Sequence, residues 1–198
     1  MSVAHALPIT PADAREAEAA TGIKHELVDG QLWAMAGGTP EHNLIASNTV
    51  GRLFMALLDR PCDVYNSDQL VQIGDEDNED IEDIEDEASL YPDVSIYCSP
   101  QRSAKAKRAF TNPVALFEVM SPSSETYDRN RKFGLYRRLE SLRHYVLLAQ
   151  DRASAEVYDR NPDGSWTVRF VSPGEAMRLG ALEVEIALDD VYKGVFND

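Results

Sequence analysis

The chain is poor in several things, and each shortage narrows its class. It has two cysteines, Cys62 and Cys98. They are too few for a disulfide framework and form no CxxC metal pair. Both sit in strand-like surroundings, and the simple reading is a reduced, cytoplasmic protein. Long apolar runs are missing too. Stretches such as 145–149 are far too short to span a bilayer, so no membrane association is expected. The first twenty residues lack a basic start followed by an apolar run, so no secretory signal is expected. Basic residues are scarce: 19 against 34 acidic ones, a net charge of −15. Ten of the acidic residues fall in Asp75–Glu87, which contains no Lys or Arg, and outside that run the net charge is only −5. Such a run cannot bury enough apolar surface to fold, so residues 74–88 are expected to form a mobile acidic loop between strands. The body that remains has an ordinary globular composition, and 198 residues suffice for one well-packed domain over 1–198.

Local patterns divide that body into elements. Thr10 and Pro11 open a helix that ends at Gly22. The Asp29-Gly30 pair between two β-compatible runs signals a hairpin, because a type I′ turn needs positive φ at both central residues. Leu44, Ile45, Val50, Leu53, Phe54, Leu57 and Leu58 are spaced for an amphipathic helix. The runs 62–73, 90–98, 113–120 and 143–150 read as strands. Between the last two lies a helix over 125–141, with Phe133, Leu135, Tyr136 and Leu139 as its apolar stripe. A second hairpin turns at Pro162-Asp163-Gly164, and 181–192 adds a strand and a short closing turn. This mixture predicts an α/β domain with a mixed central sheet flanked by helices.

Two of the strands carry a carboxylate in an apolar setting: Asp93 in "YPDVSIY" and Glu118 in "ALFEVM". A buried carboxylate is costly unless something pairs with it. Asp93, after Pro92, also suits a strand-start residue bonded to local backbone, but Glu118 is harder to dismiss. Side by side in a sheet, the two would converge on one Mg²⁺ or Mn²⁺, with a backbone carbonyl such as that of Val119 completing the ligands. Met120, two residues after Glu118, cannot act as a cation. Lys132, on the following helix, can be aimed back at the carboxylates to face a water and a phosphate. It also suits a surface position among Arg129, Arg131, Arg137 and Arg138. Asp128, one turn earlier, would cap the helix or orient the lysine.

The segments "YPDVSIY", "LFEVMSPSSETYDRNRKFGLYRR" and "HYVLLAQD", with "HELVDGQLWAMAGGTPEHN" upstream, resemble the Uma-two family of endonucleases (domain of unknown function 820). That family is a branch of the PD-(D/E)XK nuclease superfamily. The resemblance runs from about Lys24 to about Val195. It implies a restriction-endonuclease-like fold with added N-terminal and C-terminal β-hairpins, and Mg²⁺-dependent hydrolysis of phosphodiester bonds, in DNA. It places the metal on Asp93 and Glu118 and the catalytic lysine on Lys132, so Met120 is expected of this branch. It matches Glu26 to an acidic position that supports a metal-bound water, and His42 to a recurrent position near the site. Val146 replaces the Trp usual in its strand, and the acidic run is an insertion that would repel nucleic acid. A homodimer is expected by analogy alone. Taken without the family, Glu26 suits a cross-strand lysine partner, His42 a capping residue and Tyr136 the core. Two rival functions stand beside the nuclease: a non-catalytic nucleic-acid- or protein-binding module on a degenerate nuclease fold, and a hydrolase of small phosphate esters.

Overall fold

The computed structural model of the chain describes residues 10–35, 37–74, 87–122 and 124–196. Its elements begin with α1 (Pro11–Thr21), β1 (His25–Val28), β2 (Gln31–Ala34) and α2 (Pro40–Leu57). Then come β3 (Asp63–Asn66), β4 (Leu70–Ile73), β5 (Ala88–Leu90), β6 (Val94–Tyr97), β7 (Ala109–Phe110) and β8 (Ala115–Met120). A helical segment follows, made of α3 (Glu125–Tyr127), a π-helical turn (Asp128–Lys132) and α4 (Phe133–Tyr136). The chain closes with β9 (His144–Ala149), β10 (Ala155–Arg160), β11 (Trp166–Val171), β12 (Ala176–Leu179), a 3₁₀ turn (Gly180–Leu182), β13 (Val184–Ala187) and α5 (Leu188–Val191).

The local signals in the sequence explain most of these boundaries. Thr10 and Asp13 form a reciprocal capping box at the start of α1, and Gly22, at φ +69°, ends it. Asp29 and Gly30 both take positive φ, +51° and +68°, which makes the β1–β2 turn as tight as expected.

Six strands form a mixed sheet in the order β11-β10-β9-β8-β6-β3, in which only β8 and β9 run parallel. All six residues of β8 are buried, and so are all six of β9. Phe117, Val119 and Val146 face a core shared with Ile45, Leu53 and Leu57 of α2 and with β12, β13 and α5. Leu116, Met120, Tyr145 and Leu147 face a second core. It is closed by Leu135, Tyr136 and Leu139 and by a five-stranded sheet in the order β2-β1-β5-β4-β7. Phe133 stacks on Tyr145 and packs edge-on against Trp166, pinning the helical segment to the sheet.

The structure corrects several expectations. The run 62–73 is two strands in different sheets, β3 and β4. Asn66 turns the chain between them by accepting the Asp68 N–H on its side chain. The run 90–98 likewise divides, with Tyr91-Pro92-Asp93 carrying the chain back from β5 to β6. The helix ends at Tyr136, and β7 and β12 were not foreseen. Cys62 and Cys98 are joined in a disulfide, against the expectation of two reduced thiols. The cause is register: Asp63 pairs with Tyr97 across β3–β6, so the next two residues face each other. The predicted acidic loop falls largely on 75–86, outside the described residues. Glu87 is described, and it forms an ion pair with Lys105. Among the described residues no helix is long and apolar enough to cross a membrane.

Candidate active site

Antiparallel pairing of β6 with β8 sets Val94 opposite Phe117. Asp93 and Glu118 are the next pair along, one beyond the ladder and on the same face of the sheet. Two mechanisms hold them there. Asp93 Oδ2 accepts the Val119 N–H at 2.7 Å. Glu118 Oε1 accepts from Lys132 Nζ at 3.1 Å and from the Tyr136 hydroxyl at 3.0 Å.

Lys132 is therefore not a surface residue. It is 7% exposed, and Nζ also lies 3.1 Å from Glu26 Oε1 and 3.9 Å from Asp128 Oδ1. Glu26 comes from β1 in the other sheet and is fixed by the Tyr91 N–H, 3.2 Å from the same oxygen. The crossing at 91–93 thus brings Glu26 and Asp93 to one place. A π-helical turn spans Asp128–Lys132. Asp128 and Lys132 stand four apart, on one face of the helical segment, and both are buried toward the carboxylates. The intervening arginines stay outside. Arg129 pairs with Glu125 and Glu156, and Arg131 pairs with Asp29 of the β1–β2 turn.

His42 reaches the same cluster from the first turn of α2. Its backbone N–H is capped by Thr39 Oγ1, and its Nε2 lies 3.2 Å from Asp93 Oδ2. The close approach depends on Gly38, where a Cβ would fall 2.6 Å from His42 Nδ1.

The electrostatics follow from a count of charge. Four carboxylates, those of Glu26, Asp93, Glu118 and Asp128, face one ammonium. Burial works against the charged Lys132, but Glu118, Glu26, Asp128 and Asp93 outweigh it and hold its pKa above the ordinary value. Burial also pushes Glu118 well above the usual carboxylate range, with Lys132 opposing and the other three carboxylates reinforcing the shift. Asp128 is raised in the same way, by burial first. The directions are compatible: the lysine is held in its charged form, while burial and like charge disfavour ionisation of Glu118 and Asp128. For His42, burial is outweighed by Asp93, and its pKa is raised.

All the residues predicted for the site are thus assembled: Asp93, Glu118, Lys132, Glu26 and, beside them, His42 and the Val119 backbone. Tyr136 is core, as read, but its hydroxyl also bonds Glu118. The sequence reading did not place Tyr127, whose ring centroid lies 6.0 Å from Lys132 Nζ. Among the described residues no three or more His, Cys, Asp or Glu side chains are arranged to hold a metal ion.

Comparison with known proteins decides the family. A family described as "Putative restriction endonuclease", Uma2, matches residues 11–189. The chain belongs to the Uma2 family. Two Synechocystis relatives are similar over most of their length. The uncharacterized protein slr1290 is 35% identical over 87% of this chain and 85% of its own. The uncharacterized protein sll1609 is 30% identical over 84% and 89%. A crystal structure described as a putative nuclease belonging to DUF820, from Anabaena variabilis, superposes with a TM-score of 0.68 at 16% identity. It covers 89% of this chain and 93% of that one. That similarity shows the fold: this Uma2 chain has the architecture of a nuclease-like α/β domain.

Proposed function

We propose that this Uma2 protein is a metal-dependent endonuclease that hydrolyses phosphodiester bonds in DNA. The observation that carries the reading is Lys132, a buried ammonium held between Glu118 and Glu26 beside Asp93. A purely structural buried ion pair needs one carboxylate per lysine. Here four carboxylates surround one ammonium, a surplus that a structural pair has no need of, and burial first, reinforced by the other three carboxylates, raises Glu118 above the usual range.

That surplus, and the chemistry of the donors, fit Mg²⁺ or Mn²⁺. The bonds that hold Glu118 fall on Oε1, and those that hold Asp93 fall on Oδ2. Among the described residues, no hydrogen bond or ion pair falls on the other carboxylate oxygen of either, which leaves one of each for a cation. The N–H and C=O of a strand residue point to the same edge, so the Val119 carbonyl faces the side on which its N–H meets Asp93. Two carboxylates and a carbonyl are hard oxygen ligands, and Mg²⁺ commonly takes no more than that from protein. The bound ion would acidify a water and offset charge on the phosphate.

The chain's own residues have the remaining roles. Lys132 donates to the attacking water or to a phosphate oxygen as negative charge develops. Glu26 and Asp128 keep its ammonium charged and aimed. Tyr136 fixes the rotamer of Glu118, and His42 and the Val119 N–H both hold Asp93 at Oδ2. Glu118→Gln keeps the shape and removes the charge. Plasmid and oligonucleotide cleavage in Mg²⁺ or Mn²⁺ should fall by orders of magnitude in this variant, with the circular dichroism spectrum unchanged. Turnover equal to wild type, or wild-type cleavage that persists in EDTA, would overturn the reading.

A further inference from the structure

Trp33 is 57% exposed, although it is one of only two tryptophans in the chain. Its place in the fold gives that exposure meaning. The β1–β2 ladder sets Trp33 directly opposite Glu26. Directly opposed residues of an antiparallel pair project from the same face, with Cβ atoms about 5 Å apart. The Glu26 side chain on that face ends on Lys132 Nζ, 3.1 Å away. An open indole therefore stands beside the carboxylate that holds the proposed catalytic lysine. A second ring, the half-buried Tyr127, borders the same ammonium.

We infer that Trp33 is a stacking platform for an unpaired nucleobase, and that the substrate of this site is single-stranded or locally unpaired DNA. The inference rests on the nuclease reading for the identity of the phosphate at Lys132. Charge favours stacking as the source of affinity. A protein with a net charge of −15 gains little from general attraction to a polyanion. An aromatic face binds any base whose own face is open, and does so without charge. In a paired duplex both faces of each internal base are already stacked, which leaves the indole without a partner. Phe170 is more exposed, at 75%, but it lies on β11, at the far edge of the six-stranded sheet from β6. Trp33 combines exposure with adjacency to the lysine cluster.

The test uses the full chain with Trp166→Phe, so that Trp33 is the sole tryptophan. Its emission is followed in Ca²⁺, an ion with oxygen ligands like those proposed, as short oligothymidylate or a blunt hairpin duplex is added. Saturable quenching by the single strand, weaker with the duplex, is expected. By fluorescence anisotropy of a labelled oligothymidylate, Trp33→Leu should bind roughly tenfold more weakly, and Trp33→Phe should retain most of the affinity. Absence of quenching, equal response to duplex, or wild-type binding by Trp33→Leu would overturn the inference; an indole that instead docks a protein gives this result. Cleavage separates this failure from failure of the nuclease reading. If DNA is cut in a Glu118-dependent way and Trp33→Leu keeps its KM, stacking is wrong and the nuclease stands. If Trp33-dependent binding is seen and nothing is cut, stacking stands and the nuclease reading falls.

Discussion

Replacing Lys132 with methionine keeps the apolar stem and removes the only ammonium among the described residues that faces Glu26, Glu118 and Asp128, all three of them buried. Removing one partner of a buried pair costs about 3–5 kcal/mol, because the remaining charge is left without compensation. A second route gives a similar figure. The variant can escape by protonating a carboxylate, at about 1.4 kcal/mol for each pH unit above the ordinary pKa near 4.3, or about 4 kcal/mol at pH 7. For a domain of this size the loss corresponds to a fall in Tm of roughly 6–20 °C. The second route also fixes the pH dependence. A carboxylate whose folded pKa is raised binds more protons folded than unfolded, so its penalty grows as pH rises above the unfolded value. Thermal unfolding in EDTA should therefore show a larger deficit for Lys132→Met at pH 7 than at pH 5. Adding Glu118→Gln should recover part of it. A deficit below about 1 kcal/mol, or one independent of pH, would refute the charge count on which the site rests.

Three further outcomes follow from particular contacts. Gly38→Ala places a Cβ against His42 and should displace it from Asp93, lowering cleavage roughly ten- to a hundredfold with little change in Tm. Gly37→Ala, where a Cβ meets nothing within 4 Å, is the matched control and should retain activity. His144 has its pKa lowered by burial, and its Nε2 accepts the Ala181 N–H while Nδ1 bonds Asp159. Its neutral form is the one that fits, so its contribution is complete above about pH 6.5 and is lost as pH falls toward the lowered folded value; urea unfolding of His144→Gln across that range should show a shallower acid loss than wild type. The Cys62–Cys98 bond closes a span of 36 residues, and chain entropy assigns such a loop about 4 kcal/mol. Dithiothreitol should cost wild type about that much in urea unfolding and should leave Cys62→Ser/Cys98→Ser unaffected.

Part of the proposed site was legible from local surroundings, while Glu26 and His42 were matched only through the family resemblance. Glu118 is an acid inside an apolar strand, and Lys132 follows at the spacing of a returning helix. What could not be read depends on register and on which sheet a strand joins. Residues 62–73 have the composition of one strand, and only the partners of β3 and β4 show that the chain changes sheets at residues 67–69. The disulfide was hidden for the same reason, since its cysteines meet through the β3–β6 register. Trp33 became informative only when that kind of register put it across from Glu26. The π-helical turn leaves no trace in a 3.6-residue pattern, although the four-residue spacing of Asp128 and Lys132 was legible. Tyr136 continues an apolar stripe, and nothing in such a stripe distinguishes a core hydroxyl from one bonded to a buried carboxylate.

The most direct test of the proposed metal centre is Mn²⁺ binding by isothermal titration calorimetry, on wild type and on Asp93→Asn/Glu118→Gln. The account predicts saturable binding to the wild type and none to the double variant, with both folded. Equal binding to the two proteins, or none to the wild type, would contradict it.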